Sequence, residues 1–252
     1  MTDILLGLIG FGIIFLSAVL MGGLAALQRK SSPAFREIPA FARLRQAVGR
    51  VVEDGTRLHV SLGRGALITP QSASGMAGLT LLRRLAELTS AGDQPPIATS
   101  GDAALAILSQ DTLKTASRVS AQGVYDPSAG RLTGLTPFSY AAGAMPVIHD
   151  ENISANVLMG NFGVEAALLT EAAERANTFT MAASDNLAAQ AVLYASAQEP
   201  LIGEELYAAG AYMDAGPLHT ASLRVQDILR WLIIVVILVG ALIQLLKAVG
   251  IL

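Results

Sequence analysis

The sequence predicts an α/β domain, a mostly parallel sheet in Rossmann-like layers, flanked by an N-terminal and a C-terminal transmembrane helix. Three observations carry that expectation. An uncharged apolar run opens the chain, a second apolar run closes it, and between them short β-like runs alternate with helical stretches of ten or more residues. Strands separated by helices of that length need right-handed crossovers, which makes the sheet mostly parallel and covers both its faces.

The first apolar run, Ile4 to Leu27, holds 24 residues without a charge. At 1.5 Å per residue it reaches roughly 36 Å, enough to cross a ~30 Å hydrocarbon core with some tilt. A signal peptide is the competing reading, but it would carry basic residues ahead of a shorter core. Only Met1, Thr2 and Asp3 precede this run, and Arg29 and Lys30 follow it, so an uncleaved anchor is expected. Ala18, Gly22 and Ala26 recur at four-residue spacing, alongside Gly7, Gly10 and Gly12. Small residues four apart form a ridge on which helix backbones approach closely in lipid. Glycine and alanine are also simply common in membrane helices; if the ridge is used, packing within the chain and packing between copies are both open, with oligomerisation the expectation.

A linker from Gln28 to Ala40 contains Ser31, Ser32, Pro33 and Pro39. Phe41, Leu44, Val48 and Val51 then mark an amphipathic helix, with Arg43, Arg45 and Arg50 on its other faces. It either lies on anionic headgroups or covers the domain.

Leu58–Leu62 reads as a strand ending in Gly63-Arg64-Gly65, followed by a helix from about Gly75 to Thr89. Pro96–Thr99 is a second strand, and Ser100-Gly101-Asp102 caps a helix from Ala103 to Val119. Gly123 to Thr136 is turn-rich and carries no assignable element. Phe138 to Met145 is helical, and Pro146 is expected to bend or end it. Ser154–Met159 is a buried strand, Val164–Ala176 a helix, Phe179–Ala183 a strand and Leu187–Ala197 a helix. Leu201-Ile202 reads as the last strand and Glu204–Met213 as the last helix of the domain, stopped by Gly216-Pro217. A cap at Thr220 then starts a helix that runs on into the second apolar segment, Leu229 to Leu252.

That segment is interrupted by Gln244 and Lys247, yet Arg230 and Trp231 stand where an interfacial anchor belongs and Lys247 is near enough to the end to snorkel. A membrane helix is expected over a buried core helix. The chain thus divides into a first span at 1–28, a linker and juxtamembrane helix at 29–56, an α/β domain at 57–222 and a second span at 223–252. Basic residues crowd the domain side of both spans: Arg29, Lys30, Arg36, Arg43 and Arg45 after the first, Arg224 and Arg230 before the second. The charge rule therefore places the domain in the cytoplasm of a two-span cell-membrane protein, with both termini outside.

Composition narrows function further. Net charge is −3 and no basic run is present, which argues against nucleic-acid partners. The chain has no cysteine, so disulfides, thiolate catalysis and Cys-based metal sites are excluded. His59, His149 and His219 lack metal-site spacing, so neither a metal nor a cofactor is expected.

Candidate ligand positions sit where strands meet helices. Gly160, Asn161 and Gly163 form a glycine-containing turn whose free N–H groups could hold an anion, although it is neither G-x-G-x-x-G nor a P-loop. Glu165 just beyond would repel a phosphate, and a tight turn without ligand is the weightier reading. Arg64, between Gly63 and Gly65, could supply a cation, or be a solvated arginine in a connection. Glu204 and Glu205 could bind a cation or act as acid and base, or simply favour a helix N-terminus. Ser184-Asp185-Asn186 matches one motif of penicillin-recognising enzymes, but Ser-x-x-Lys and Lys-Thr-Gly are both missing, so it reads as a helix cap. No hydrolase or nucleotide signature remains, which tilts the reading away from an enzyme.

Met159-Gly160-Asn161-Phe162-Gly163-Val164-Glu165 and the stretch from Leu201 to Tyr212, LIGEELYAAGAY, carry a resemblance. With the membrane helix just beyond, the chain from about Phe35 onward resembles a family of prokaryotic membrane proteins that carry a domain of unknown function. The resemblance implies no activity, catalytic residue, cofactor or substrate. The expected function is a membrane-anchored, non-enzymatic scaffold that assembles with copies of itself in the bilayer. A sensor or enzyme for a small anion or nucleotide-like molecule at the strand-end crevice is the alternative.

Overall fold

A computed structural model describes residues 2–28, 35–69, 71–92, 94–119 and 125–249. Arg29, Lys30, Ser31, Ser32, Pro33, Gly123 and residues 250–252, which entered the readings above, lie outside them. The chain divides into two compact units, residues 36–215 and the two terminal segments.

The terminal unit holds α1 (Thr2–Gln28) and α9 (Pro217–Ala248). Leu5–Leu27 has a mean hydropathy of 2.4 and Pro217–Ala248 one of 2.6, and both are long and apolar enough to cross a membrane. The two helices lie against each other. α9 begins earlier than the sequence suggests. Gly216, at φ 138°, is its cap and Pro217 its first residue, a position where a missing N–H costs nothing. Thr220 sits one turn inside and bonds back to the Gly216 carbonyl at 3.3 Å.

Unit 36–215 contains α2 (Pro39–Glu53), β1 (Arg57–Gly63), α3 (Ser72–Leu88), β2 (Ile97–Ser100), α4 (Ala103–Val119), β3 (Gly130–Leu132) and α5 (Pro137–Asp150). It continues with β4 (Ile153–Asn161), α6 (Ala166–Arg175), β5 (Phe179–Ser184), α7 (Leu187–Ser196), β6 (Glu199–Leu201) and α8 (Glu205–Tyr212). The six strands form one sheet in the order β3-β2-β1-β4-β5-β6, and every pair is parallel. This is the doubly wound order. The chain adds strands outward from β1 in one direction, returns through α5, and adds strands from β4 in the other.

Each face of the sheet has its own core. Leu58, Val60 and Leu62 of β1, with Ala155, Val157 and Met159 of β4, point toward α2, α3 and α8. Leu158 and Ala182 point the other way, into Tyr140, Phe162, Leu169 and Leu193 from α5, α6, α7 and the turn after β4. α2 belongs to the first layer. Phe41, Leu44, Ala47, Val48 and Val51 are buried on the sheet, and Phe41 stacks on Tyr212 at 5.0 Å. Its arginines are largely committed within the domain, Arg43 to Glu199, Arg45 to Asp214 at 2.9 Å and, just before the helix, Arg36 to Glu205 at 2.5 Å.

Two departures from the sequence reading concern α5 and β3. Pro146 does not end α5, which runs on to Asp150. Burial of Tyr140, Ala141, Ala144, Val147 and Ile148 outweighs the one lost backbone bond. The turn-rich stretch supplies β3, three residues at the sheet edge that pair Ala98 with Gly130 and Ser100 with Leu132.

Candidate functional site

All six strands end on one edge of the sheet, and the order reverses between β1 and β4. In open α/β sheets a ligand crevice forms at that switch point. The residues singled out from the sequence converge on it unevenly.

Gly160 and Asn161 end β4, directly beside Gly63 at the end of β1, with Gly63 and Asn161 in register. Backbone bonds join the two strand ends to their neighbours. Arg64 N–H donates to the Asn161 carbonyl at 2.9 Å, and Gly101 N–H donates to the Gly63 carbonyl at 2.8 Å. The glycines serve this closeness. A Cβ on Gly160 would collide with the Leu62 carbonyl, and one on Gly78 of α3 with the Met159 carbonyl. Gly63 turns the chain at φ 70°, in the left-handed region that glycine enters without a Cβ penalty.

Arg64 and Gly163 meet through a third residue. Glu165, only 2% exposed, folds its carboxylate back so that Oε1 accepts from Gly163 N–H at 2.9 Å and from Arg64 Nε at 3.2 Å. The Gly163 N–H, one of the groups anticipated to face an anion, is taken by the chain's own carboxylate. Arg64 keeps a side-chain exposure of 23%. Asn161 is committed sideways, its Nδ2 donating to Asp185 at 2.7 Å. The Ser184-Asp185-Asn186 stretch caps α7, as expected, with Asn186 accepting from the N–H groups of Ala188 and Ala189.

Glu204 and Glu205 stand at the end of β6, and the bonds of Glu205 run elsewhere. It takes Arg36 at 2.5 Å and the Ile202 N–H at 3.4 Å. The structure therefore brings Arg64, Gly160, Asn161 and Gly163 into one seam and leaves the two glutamates outside it.

Beneath the seam runs a polar row that the sequence reading passed over. His59 and Ser61 of β1, Thr99 of β2, Asn156 of β4 and Tyr140 of α5 are all fully buried. His59 Nδ1 lies 2.8 Å from Asn156 Oδ1 and Nε2 lies 2.8 Å from Thr99 Oγ1. With a carbonyl oxygen at Nδ1, that nitrogen carries the proton and Nε2 accepts from the threonine hydroxyl. Burial pushes the imidazole down to about 4, against a smaller upward pull from the Asn156 bond. The Tyr140 hydroxyl bonds Ser61 and accepts from Gly63 N–H at 3.3 Å, so the row ends on the switch-point turn. Burial raises the phenol above its ordinary range. The signal for this row was present: Leu58-His59-Val60-Ser61-Leu62 alternates apolar and polar, and a strand covered on both faces must bond its polar side chains internally.

Exposed apolar side chains also stand along this edge. Ile68, Leu135, Phe138, Val164 and Leu187, each just after a strand, are exposed by 97%, 67%, 64%, 54% and 82%. A groove of about 470 Å³ lies elsewhere, lined by α2, α3 and the residues after α8. Its arginines are committed, Arg45 to Asp214 at 2.9 Å and Arg84 to the Met213 carbonyl at 2.8 Å. Among the described residues no group of three His, Cys, Asp or Glu side chains gathers as metal ligands would.

Comparison with curated proteins and with solved structures returns no match. A family model does match, over residues 5–251, and the chain belongs to the family it describes, Domain of unknown function (DUF6754).

Proposed function

We propose that this protein is a membrane-anchored, non-enzymatic scaffold that assembles with copies of itself through its apolar helices, its α/β domain held in the cytoplasm and both termini outside. The observation that carries the assembly is the state of the small-residue ridge on α1. The shielded side of α1 is Gly10, Ser17, Leu20, Met21, Leu24 and Ala25. Ala18, Gly22 and Ala26 are exposed, and a Cβ built on Gly22 has nothing within 4 Å. The ridge is thus open in a single chain although α1 and α9 lie together, which favours packing between copies. The basic residues flanking both apolar segments support the orientation.

The test is the mass of the full chain in lipid nanodiscs or mild detergent, by light scattering. A multiple of 26.2 kDa is expected, reduced toward one chain by Gly22→Leu. A single-chain mass at every concentration overturns the proposal.

The strand order favours a second reading, a small-anion or nucleotide-like ligand at the switch point beside Arg64. Binding there would require Glu165 to leave Gly163 N–H and Arg64. A thermal shift with nucleotides or inorganic phosphate, lost in Arg64→Gln, would support it, and silence across such a panel would remove it.

A further inference from the structure

The ion pair at the switch point uses only part of each partner. Arg64 Nε donates to Glu165 Oε1 at 3.2 Å, and the same oxygen takes the Gly163 N–H at 2.9 Å. Among the described residues no other bond reaches either side chain, so both Nη groups of Arg64 and Oε2 of Glu165 are left over. Guanidinium and carboxylate frequently meet as a fork with two parallel bonds, and here they do not. An acceptor without a donor on a residue only 2% exposed is a destabilising feature that a bound donor removes. Two glycines give the pair its room. A Cβ on Gly101 would strike the stem of Arg64, and one on Gly163 would strike Glu165 Oε2. The spare donors and the spare acceptor thus stand together at the carboxyl ends of β1 and β4, where the strand order reverses.

We propose that this seam binds a free α-amino acid with an apolar side chain, its carboxylate on the Nη groups of Arg64 and its ammonium on Oε2 of Glu165. The proposal rests on the second reading above, a ligand at the switch point, and replaces the anion with a zwitterion. A bare anion reaches Arg64 only against the charge of Glu165, and a bare cation reaches Glu165 only against that of Arg64. A zwitterion brings one charge of each sign and leaves the existing contact in place, so no charge in the seam is uncompensated. The chemistry of each half fits. A guanidinium edge matches a carboxylate with two bonds, and an ammonium offers three donors to a carboxylate oxygen. The two charged groups of an α-amino acid sit on one carbon, a separation suited to side chains that already touch. The apolar side chain follows from the neighbours. Val164, between Gly163 and Glu165, and Leu135, beside the Gly134 carbonyl that borders Gly101, are both exposed.

The test is isothermal titration calorimetry on the full chain in lipid nanodiscs, with leucine, isoleucine, valine, methionine and phenylalanine as probes. Binding of at least one is expected. Its amine analogue, which lacks the carboxylate, and its acid analogue, which lacks the ammonium, are each expected to bind about tenfold more weakly or worse. The same loss is expected for the amino acid itself in Arg64→Gln and in Glu165→Gln. Equal affinity for either analogue overturns recognition by two charges, and does so in the wild-type chain, whatever the stability of the variants. Undiminished binding in both folded variants places the amino acid elsewhere and overturns the site. Binding of inorganic phosphate or a nucleotide, lost in Arg64→Gln, with no response to the amino acids overturns the zwitterion and leaves the anion reading standing. Silence to amino acids, phosphate and nucleotides removes both.

Discussion

Glu165 Oε1 sits between the backbone N–H of Gly163 and Nε of Arg64, 101 residues away in sequence, at 2.9 and 3.2 Å. The pair spans the switch point, binding the loop after β1 to the turn after β4. Glu165 is nearly sealed from water, so these two donors stand where solvent would otherwise bond the carboxylate. Arg64→Ala leaves a buried carboxylate with only backbone donation. A loss of about 3 kcal/mol is expected, the lower end for breaking a buried pair because Arg64 retains partial exposure. Glu165→Gln, which removes the charge but keeps an acceptor, should cost less. Circular dichroism melts of the two full-length variants check the order. Equal stability of Arg64→Ala and wild type would show that the seam holds without the ion pair.

His59 gives the domain an acid limit. Its imidazole is held down to about 4 in the fold, against about 6.5 in an unfolded chain. Above pH 6.5 it is neutral in both states and its contribution is complete. Between 6.5 and 4 the unfolded chain takes up a proton that the fold refuses, so stability falls as pH falls, by about 3 kcal/mol over the window. Melting temperatures recorded from pH 7 to pH 4 should show that slope, and His59→Gln should flatten it. A slope unchanged in His59→Gln would place the acid sensitivity on other groups.

How much of this could be read from the chain depends on the range of each interaction. The parallel sheet covered on both faces was legible because strand–helix alternation is local, whereas the order that reverses between β1 and β4 depends on which strands pair and is set by long-range contacts. β3 was not legible either. Gly130-Arg131-Leu132 is too short to show a period of two, and only its pairing with β2 makes it a strand. The end of α5 was misjudged for a related reason, since Pro146 acts locally while the buried face that carries the helix past it depends on distant partners. At the site, the strand-to-helix turns and the α7 cap were visible as small-residue clusters. The role of Glu165 was not, because a carboxylate that would repel a bound phosphate is the same group that can replace one. Choosing between these requires knowing that Arg64 lies opposite.

The glycines offer one substitution with opposite outcomes. At Gly160 an added Cβ would strike the Leu62 carbonyl, a backbone atom that moves only if β1 and β4 part. Gly160→Ala should therefore cost about 3 kcal/mol, the upper range for overpacking a core. Gly49 lies inside α2 with nothing within 4 Å of its Cβ position. Gly49→Ala there removes only the extra freedom of the unfolded chain and should stabilise by about 0.5–1 kcal/mol. Thermal melts of the two variants should move in opposite directions, and a loss in both would mean that α2 needs the space beside Gly49.

Tyr140 joins the polar row to the switch point, since its hydroxyl contacts Ser61 and takes the Gly63 N–H at 3.3 Å. Tyr140→Phe keeps the ring that packs beside Phe162 at 6.3 Å but leaves the Ser61 hydroxyl and the Gly63 N–H without that partner inside the sheet. Unmet buried groups of this kind cost about 1–3 kcal/mol. The loss should also be local, because Gly63 is where β1 turns. Hydrogen exchange at the amides of Gly63 and Arg64 is expected to accelerate more than exchange at Val157 or Ala182, deeper in the same sheet. Uniform acceleration across the sheet would mean that Tyr140 supports the core as a whole and does not pin the β1 turn.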